Sequence, residues 1–520
     1  MRRQRGQHGM ALVIATLLVL ACIGAIFAMG LAGAAGGSAR ARASQRALTE
    51  AREALIAYAA DHSINAVVGP GYLPCPDTDD DGWAEATCGS QNGDSGQADR
   101  LGRLPWKTLG LADLRDGYGE RLWYAVSSKY KGLLNCGVSP ACLDMTPDAA
   151  LGTISVRDNA GSILHDGTIA EAYRAEAGGA VAVVFAPGPA LARIGGIEAA
   201  EQRRECAPGD CDAAGRCVTD PPQRAARCDP ANYLDKAPGA RYGDEDNADF
   251  IDRNDAAGRA RNANGFIHGP VVLPDGRLAV NDRLAVIAYR DVMPRIRQRV
   301  ALEVSGCLRH YATRPENRGR YPWPTPACLQ SSGAWDGRSS VAFGRIADTP
   351  FAPSDTMLAR WWGDDEVIAS GSACKIATAP GSSAPGSTAG HDGHSWWSAW
   401  KPYVFYALAR GFAPDAGGAA CEGAACLELV DPSGRLLGAP RQYAVIVAGA
   451  PLARDGFVQA RGGANVADVR QWLEDANADL EGAPGCSPPP VFSCEGRGTC
   501  QRVTASGGGR GFNDVVVAFP

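Results

Sequence analysis

Leu122-Trp123-Tyr124-Ala125-Val126 and Val404-Phe405-Tyr406-Ala407-Leu408 read as one short buried strand written twice in the same chain. Other features recur around each run in the same order. Leu55-Ile56-Ala57-Tyr58-Ala59 leads to Tyr72-Leu73-Pro74-Cys75-Pro76, and Leu308-Arg309-His310-Tyr311-Ala312 leads to Tyr321-Pro322-Trp323-Pro324. Downstream, the turn Asp158-Asn159-Ala160-Gly161 is echoed by Asp431-Pro432-Ser433-Gly434, and Ala182-Val183-Val184-Phe185-Ala186-Pro187-Gly188 by Ala444-Val445-Ile446-Val447-Ala448-Gly449. A shared order of individually weak features is the mark of an internal duplication. The expected fold class is therefore α+β: two units, each a helix packed on a small antiparallel sheet, with disulfide-rich loops. The first unit is expected at 63–198 and the second at 281–520, separated by a Cys/Gly-rich linker or loop at 199–280. The second helix is expected at roughly 282–314, with Pro294 starting, kinking or dividing it.

Ahead of the first unit, Arg2, Arg3 and Arg5 are followed by a stretch from Met10 to Gly37 without a charged residue. Such a run is long enough to cross a bilayer, and the arginines place its N-terminus in the cytoplasm. Leu31-Ala32-Gly33-Ala34-Ala35 offers the rival reading of a cleaved secretory signal. From Ala41 to His62, Leu48, Ala51, Leu55 and Tyr58 recur at three or four residues, with Arg46, Glu50, Arg52 and Glu53 between them and no Gly or Pro. The expectation is a 1–9 leader followed by one long transmembrane and amphipathic spine helix over 10–62.

Arg5-Gly6-Gln7-His8-Gly9 followed by Met10-Ala11-Leu12-Val13-Ile14 resembles the start of type IV pilins and of the pseudopilins of type II secretion, over roughly the first sixty residues. The resemblance implies cleavage after Gly9 by a prepilin peptidase, methylation of Met10, and the pilin plan for each unit. Its implied partners are other pilin or pseudopilin subunits, the peptidase and inner-membrane lipid. It also implies a single-pass place in a bacterial inner membrane, with the bulk of the chain periplasmic or extracellular. Where that family carries Glu at the fifth mature position this chain has Ile14, as in large, tip-type minor subunits. The implied role is a minor structural subunit of a type IV pilus or type II secretion filament, not an enzyme. Two alternatives stay open: an anchored adhesin or binding protein, and an anchored hydrolase.

The composition agrees with a globular, loop-rich chain, since 64 Gly and 34 Pro accompany 45% hydrophobic residues. A net charge of −6 gives no broad basic field, which argues against a nucleic-acid partner. Of 17 Cys, Cys22 lies in the apolar run and leaves an even number elsewhere. Many fall in close pairs: Cys136/Cys142, Cys206/Cys211, Cys217/Cys228, Cys421/Cys426 and Cys494/Cys500. No C-x-x-C occurs, so disulfides in an oxidising compartment are expected rather than zinc or thiol redox chemistry.

Asp77-Thr78-Asp79-Asp80-Asp81-Gly82-Trp83-Ala84-Glu85 alternates carboxylates ahead of a Gly, the pattern of a calcium loop. Asp77, Asp79 and Asp81 are expected to converge on calcium, with the Trp83 carbonyl and Glu85 or a water completing the shell. Cys88 stands where an EF-hand has its Glu, so the alternative is a solvated acidic turn, pre-shaped if Cys75 pairs with Cys88. Gly93-Asp94-Ser95-Gly96 matches a serine-protease nucleophile segment but lacks its His and Asp companions; His62 is the nearest upstream His. His391-Asp392-Gly393-His394 sits in a Gly/Ser-rich loop. Trp361, Trp362, Trp396, Trp397 and Trp400 are expected in a core rather than on a binding face.

Overall fold

Ala47, Leu48, Ala51, Leu55, Ile56 and Ala59 recur at helical spacing and are all buried, while Arg42, Arg46, Glu50 and Glu53 point to solvent. They form one helix, α1, at 37–61. The computed structural model describes residues 37–61, 69–88, 100–131, 145–194, 202–205, 209–218, 226–249, 265–315, 317–325, 342–346, 396–417, 426–431, 433–454, 457–461, 465–466, 468–474, 477, 501–504 and 513–520.

Among these residues no helix is long and apolar enough to cross a membrane. The expected fold headed by a long membrane-spanning helix is corrected accordingly, and so is the single-pass inner-membrane placement. The reason lies in α1 itself: Arg40, Arg42, Arg46, Glu50, Arg52 and Glu53 interrupt it with charge, and its apolar stripe is spent on the protein core. What is observed is a mixed helix-and-sheet fold. The leader and the apolar run, with Gly9, Met10 and Ile14, lie outside the described residues.

Two four-stranded antiparallel sheets follow, each with its strands in chain order. The first comprises β1 (Leu101–Arg103), β2 (Trp123–Val126), β3 (Ala180–Ala186) and β4 (Arg283–Ala288). The second comprises β5 (Phe343–Arg345), β6 (Val404–Leu408), β7 (Tyr443–Val447) and β8 (Val515–Phe519). Registers agree between them. Gly102 lies opposite Tyr124 as Gly344 lies opposite Tyr406. Arg103 exchanges backbone hydrogen bonds with Asp77, and Arg345 does so with Thr325. The matched turns also coincide, since Asp158 and Asp431 each accept from a Gly three residues on, Gly161 and Gly434, both at positive φ.

Helix α2 (Tyr289–Thr313) begins directly after β4. Residues 283–288, expected as its first turns, are instead strand, because Val286 to Ala288 pair with β3. Pro294 sits in the second turn without dividing the helix. The Asp291 carboxylate accepts the Ala288 N–H at 2.9 Å and satisfies one of the donors a helix start leaves open. α1 and α2 run side by side in the same direction: Arg52 meets Asp291 at 2.8 Å, and eight to nine residues on Asp61 meets Arg299 at 3.0 Å. Both helices and both sheets share one hydrophobic core. On the far face of the first sheet Trp123, Ala125, Val183 and Phe185 pack on Tyr233, Leu234 and Phe266. Segment 199–280 therefore supplies core residues to the first unit, whose last strand lies beyond it. Trp396, Trp397 and Trp400 are buried in the shared core.

Gly102 and Gly344 mark where each sheet's first strand meets the chain leading to it. A Cβ on Gly102 would stand 2.6 Å from the Asp77 carbonyl oxygen, and one on Gly344 would press on the Thr325 carbonyl. Gly102→Ala and Gly344→Ala are each expected to destabilise the protein by about 1–3 kcal/mol. Chemical denaturation checks this, and an unchanged midpoint for either would contradict the close approach.

Candidate functional site

The acidic loop is held at both ends. The Cys75–Cys88 disulfide closes it, and Asp77 pairs with Arg103 of β1. Asp80 and Gly82 take positive φ, which curls the chain inward. The Asp77 carboxylate accepts the Gly82 N–H at 2.7 Å and the Asp81 N–H at 3.2 Å. Asp79 also accepts from Asp81, and Glu85 accepts from the Thr78 N–H and hydroxyl. Carboxylate oxygens of Asp77, Asp79 and Glu85 lie within 4.8 Å of one another, a set of hard ligands suited to a divalent cation. Asp81 is outside this group: its carboxylate accepts the Trp83 N–H at 2.7 Å, and its carbonyl accepts from Lys107 Nζ. Burial above all, with the charges of Asp80, Asp79 and Asp81 adding to it, pushes the Asp77 carboxyl up to about 7 against the pull of the Gly82 N–H.

Asp80 faces the other way. Its buried carboxylate meets Arg121 at 2.7 Å and Arg227 at 2.8 Å, with Arg103 at 4.0 Å. Arg121 also bonds Asp113, which Arg115 shares. The loop is thus wired into a cluster of arginines that the sequence reading did not single out.

A second assembly, also missed, occurs once in each unit. Gln202 accepts from Leu191 N–H and donates to Asp235 at 2.9 Å; Gln459 accepts from Leu452 N–H and donates to Glu474 at 3.4 Å. Two residues on, Arg204 reaches the Gly188 carbonyl and Arg461 the Gly449 carbonyl, both at 2.6 Å. Asp282 accepts from Asp235 N–H and Asn247 as Asp514 accepts from Glu474 N–H and Asn477. Each assembly therefore buries two carboxyl groups together, all of them at most 1% exposed. The signal was present in Asp229-Pro230-Ala231-Asn232-Tyr233-Leu234-Asp235 against Asp468-Val469-Arg470-Gln471-Trp472-Leu473-Glu474, and in Asn281-Asp282 against Asn513-Asp514. Closed to solvent, the pairs lock the strand start of β4 or β8 to the loop beneath its sheet.

Burial, then the charge of Asp235, holds Asp282 well above the usual carboxylate range. Burial raises Asp235 to about 6 against the hydrogen bond from the Asn281 N–H. Burial and the neighbouring Glu474 likewise raise Asp514. One oxygen each of Asp282 and Asp514 has no hydrogen-bond partner among the described residues, the natural seat for the proton that burial keeps on the group.

Of the cysteine pairs, Cys75–Cys88 and Cys217–Cys228 are joined, with Cα atoms 5.5 and 6.1 Å apart. Cys211, Cys307 and Cys426 are disulfide-bonded as well. Cys136, Cys142, Cys421, Cys494 and Cys500 lie outside the described residues, as do His62, Ser95, Trp361, Trp362, His391 and His394.

Because the folded-state values of Asp235 and Asp282 are raised above about 3.9 for an unfolded Asp, the folded chain keeps protons that the unfolded chain has released. The stability this protonation contributes is present below about pH 4; the share of Asp235 is lost as pH rises through about 6, while that of Asp282, held well above the usual range, persists to higher pH. Asp282→Asn places a neutral amide where the proton sits. Its melting temperature is expected to equal or exceed the wild type at about pH 7.5 and to fall below that of wild type toward about pH 4.5. Parallel pH profiles for the two proteins would contradict the retained proton.

Comparison with protein-family models, with curated proteins and with solved structures gives no match for this chain, so its own geometry carries the functional reading.

Proposed function

We propose that this chain is a structural subunit, present in few copies, of a filament built like type IV pili or type II secretion pseudopili. The observation that supports the reading most is the doubled unit of helix and four-stranded antiparallel sheet, with its two helices lying parallel in one core. A head of that size obstructs regular helical stacking and suits a priming or capping position. Ile14 fits the same place, since it cannot offer the carboxylate by which an ordinary subunit meets the amine of the one ahead. Prepilin peptidase and other pilin-like subunits are the partners this reading requires. The disulfides agree with assembly in an oxidising compartment. A binding role through the second unit's tryptophans is less favoured, because Trp396, Trp397 and Trp400 are each 1% exposed.

Mass spectrometry of the N-terminus of protein purified from its source tests the proposal. Chains beginning at a methylated Met10 are expected. Retention of Met1 through Gly9 would overturn it.

A second reading concerns the loop: Asp77, Asp79 and Glu85 bind a divalent cation of the calcium type, which holds the first unit's entry chain in shape. It rests on the convergence of their oxygens. Calcium is expected to raise the melting temperature over that in chelator by several degrees, and Asp79→Asn to abolish most of the difference. An Asp79→Asn protein with the full calcium response would refute the site.

A further inference from the structure

A cleft of about 370 Å³ opens beside β1, on the side of the acidic loop where Asp80 lies. Arg103, Arg115, Arg121, Arg204 and Arg227 line it, with the ring of Tyr233 as part of its wall. Among the described residues, Glu120 and Glu205 bring carboxylates to the lining against these five guanidinium groups. Asp80 and Asp113 stand behind the arginines, where they fix Arg121, Arg227 and Arg115 in place.

The second unit acts as an internal control. Arg103 is sandwiched by Trp123 and Tyr233, with ring centroids at 4.2 and 3.9 Å, and its counterpart Arg345 by Phe405 and Trp472. One end of the Arg103 fork donates to the Arg121 carbonyl, and the same end of Arg345 to the Pro402 carbonyl. The other end donates to the Arg227 carbonyl, matched by Arg345 to the Val466 carbonyl. The framework uses only the backbone oxygen at these two positions. Carbonyls of proline and valine therefore serve it as well as those of arginine, and by strand register the residue corresponding to Arg121 is Tyr403, next to Pro402. The frame common to both units uses Arg103 and Arg204, whose counterparts are Arg345 and Arg461; the side chains of Arg121 and Arg227 are additions of the first unit, where they pair with its buried Asp80, and half-exposed Arg115 shares Asp113.

We propose that this cleft is a binding site for an oxyanion, a carboxylate or phosphate group presented by a small molecule or by an acidic peptide. Guanidinium groups offer paired donors that match the two oxygens of such a group, and although Glu120 pairs with Arg204, the five guanidinium groups still outnumber the four carboxylates of Asp80, Asp113, Glu120 and Glu205 around the cleft. The Cys217–Cys228 disulfide braces the segment that carries Arg227, and the Cys217 N–H bonds the Asp79 carbonyl, so the site is built on a fixed frame. The site is independent of the filament reading.

Calorimetric titration of the full-length protein at low ionic strength, with sodium phosphate in one arm and glutarate in the other, tests this. Saturable binding of at least one anion is expected, weakened about tenfold or more in Arg227→Val, which installs the residue found at the second unit's equivalent position, and in Arg115→Gln. Arg115→Gln alters a half-exposed side chain and so keeps the test valid if Arg227→Val does not fold. Phosphate binding alone would identify a free or esterified phosphate as the ligand chemistry, and glutarate binding alone a peptide carboxylate. Absence of saturable heat from both anions up to about 10 mM, or unchanged affinity in the variants that fold, would overturn the proposal.

Discussion

Burying both faces of two four-stranded sheets is the constraint on which the rest of this structure depends. The strands β2, β3, β6 and β7 have no exposed residue, so neither sheet can turn a face to water. On one side the requirement is met by α1 and α2, lying parallel in a common core. On the other it is met by irregular chain: Tyr233, Leu234 and Phe266 under the first sheet, and Val469, Trp472 and Leu473 packed into the core with the second. Irregular chain in such a place brings unpaired backbone groups with it, and these need partners away from water.

The duplicated polar assemblies are the answer to that need. Gln202 and Arg204, like Gln459 and Arg461, spend their donors on the carbonyls of the covering loop. The paired carboxyls then take the N–H groups of that loop and of the strand entering the sheet. Burying acids is costly, and keeping a proton on one of each pair is less so than keeping two charges. Arg103 and Arg345 complete the frame, each flat between aromatic rings and each bonded to two backbone carbonyls.

What the two units share is scaffold, and what they do not share is where individuality resides. The second unit has Thr325 where the first has Asp77, and no acidic cluster is found there among the described residues. Tyr403 and Val466 stand where the first unit has Arg121 and Arg227. The acidic loop and the arginine-lined cleft meet at Asp80, so a cation on one side and an anion on the other would act on the same turn of chain. Glycines at 102 and 344, by contrast, serve the common frame, since both strands are crossed closely by the chain that enters the unit.

The sequence by itself determined the periodic elements and their doubling. Leu48, Ala51 and Leu55 marked α1, and Tyr124 and Tyr406 marked equivalent strands, because helical and strand burial leave local patterns that survive divergence. It also marked the acidic loop, since Asp77, Asp79 and Glu85 are near neighbours in the chain. Tertiary structure alone decided that residues 283–288 pair with β3 instead of opening α2, because a short apolar run suits either state until a partner strand is present. It alone turned Asp81 away from its neighbours and set Asp80 against Arg121 and Arg227, 41 and 147 positions along the chain. Nor could local pattern join Gln202, Asp235 and Asp282, which meet only after long excursions return to one edge of the sheet. Buried polar groups are chosen by the partners that folding brings to them, and those partners have no fixed spacing in the sequence.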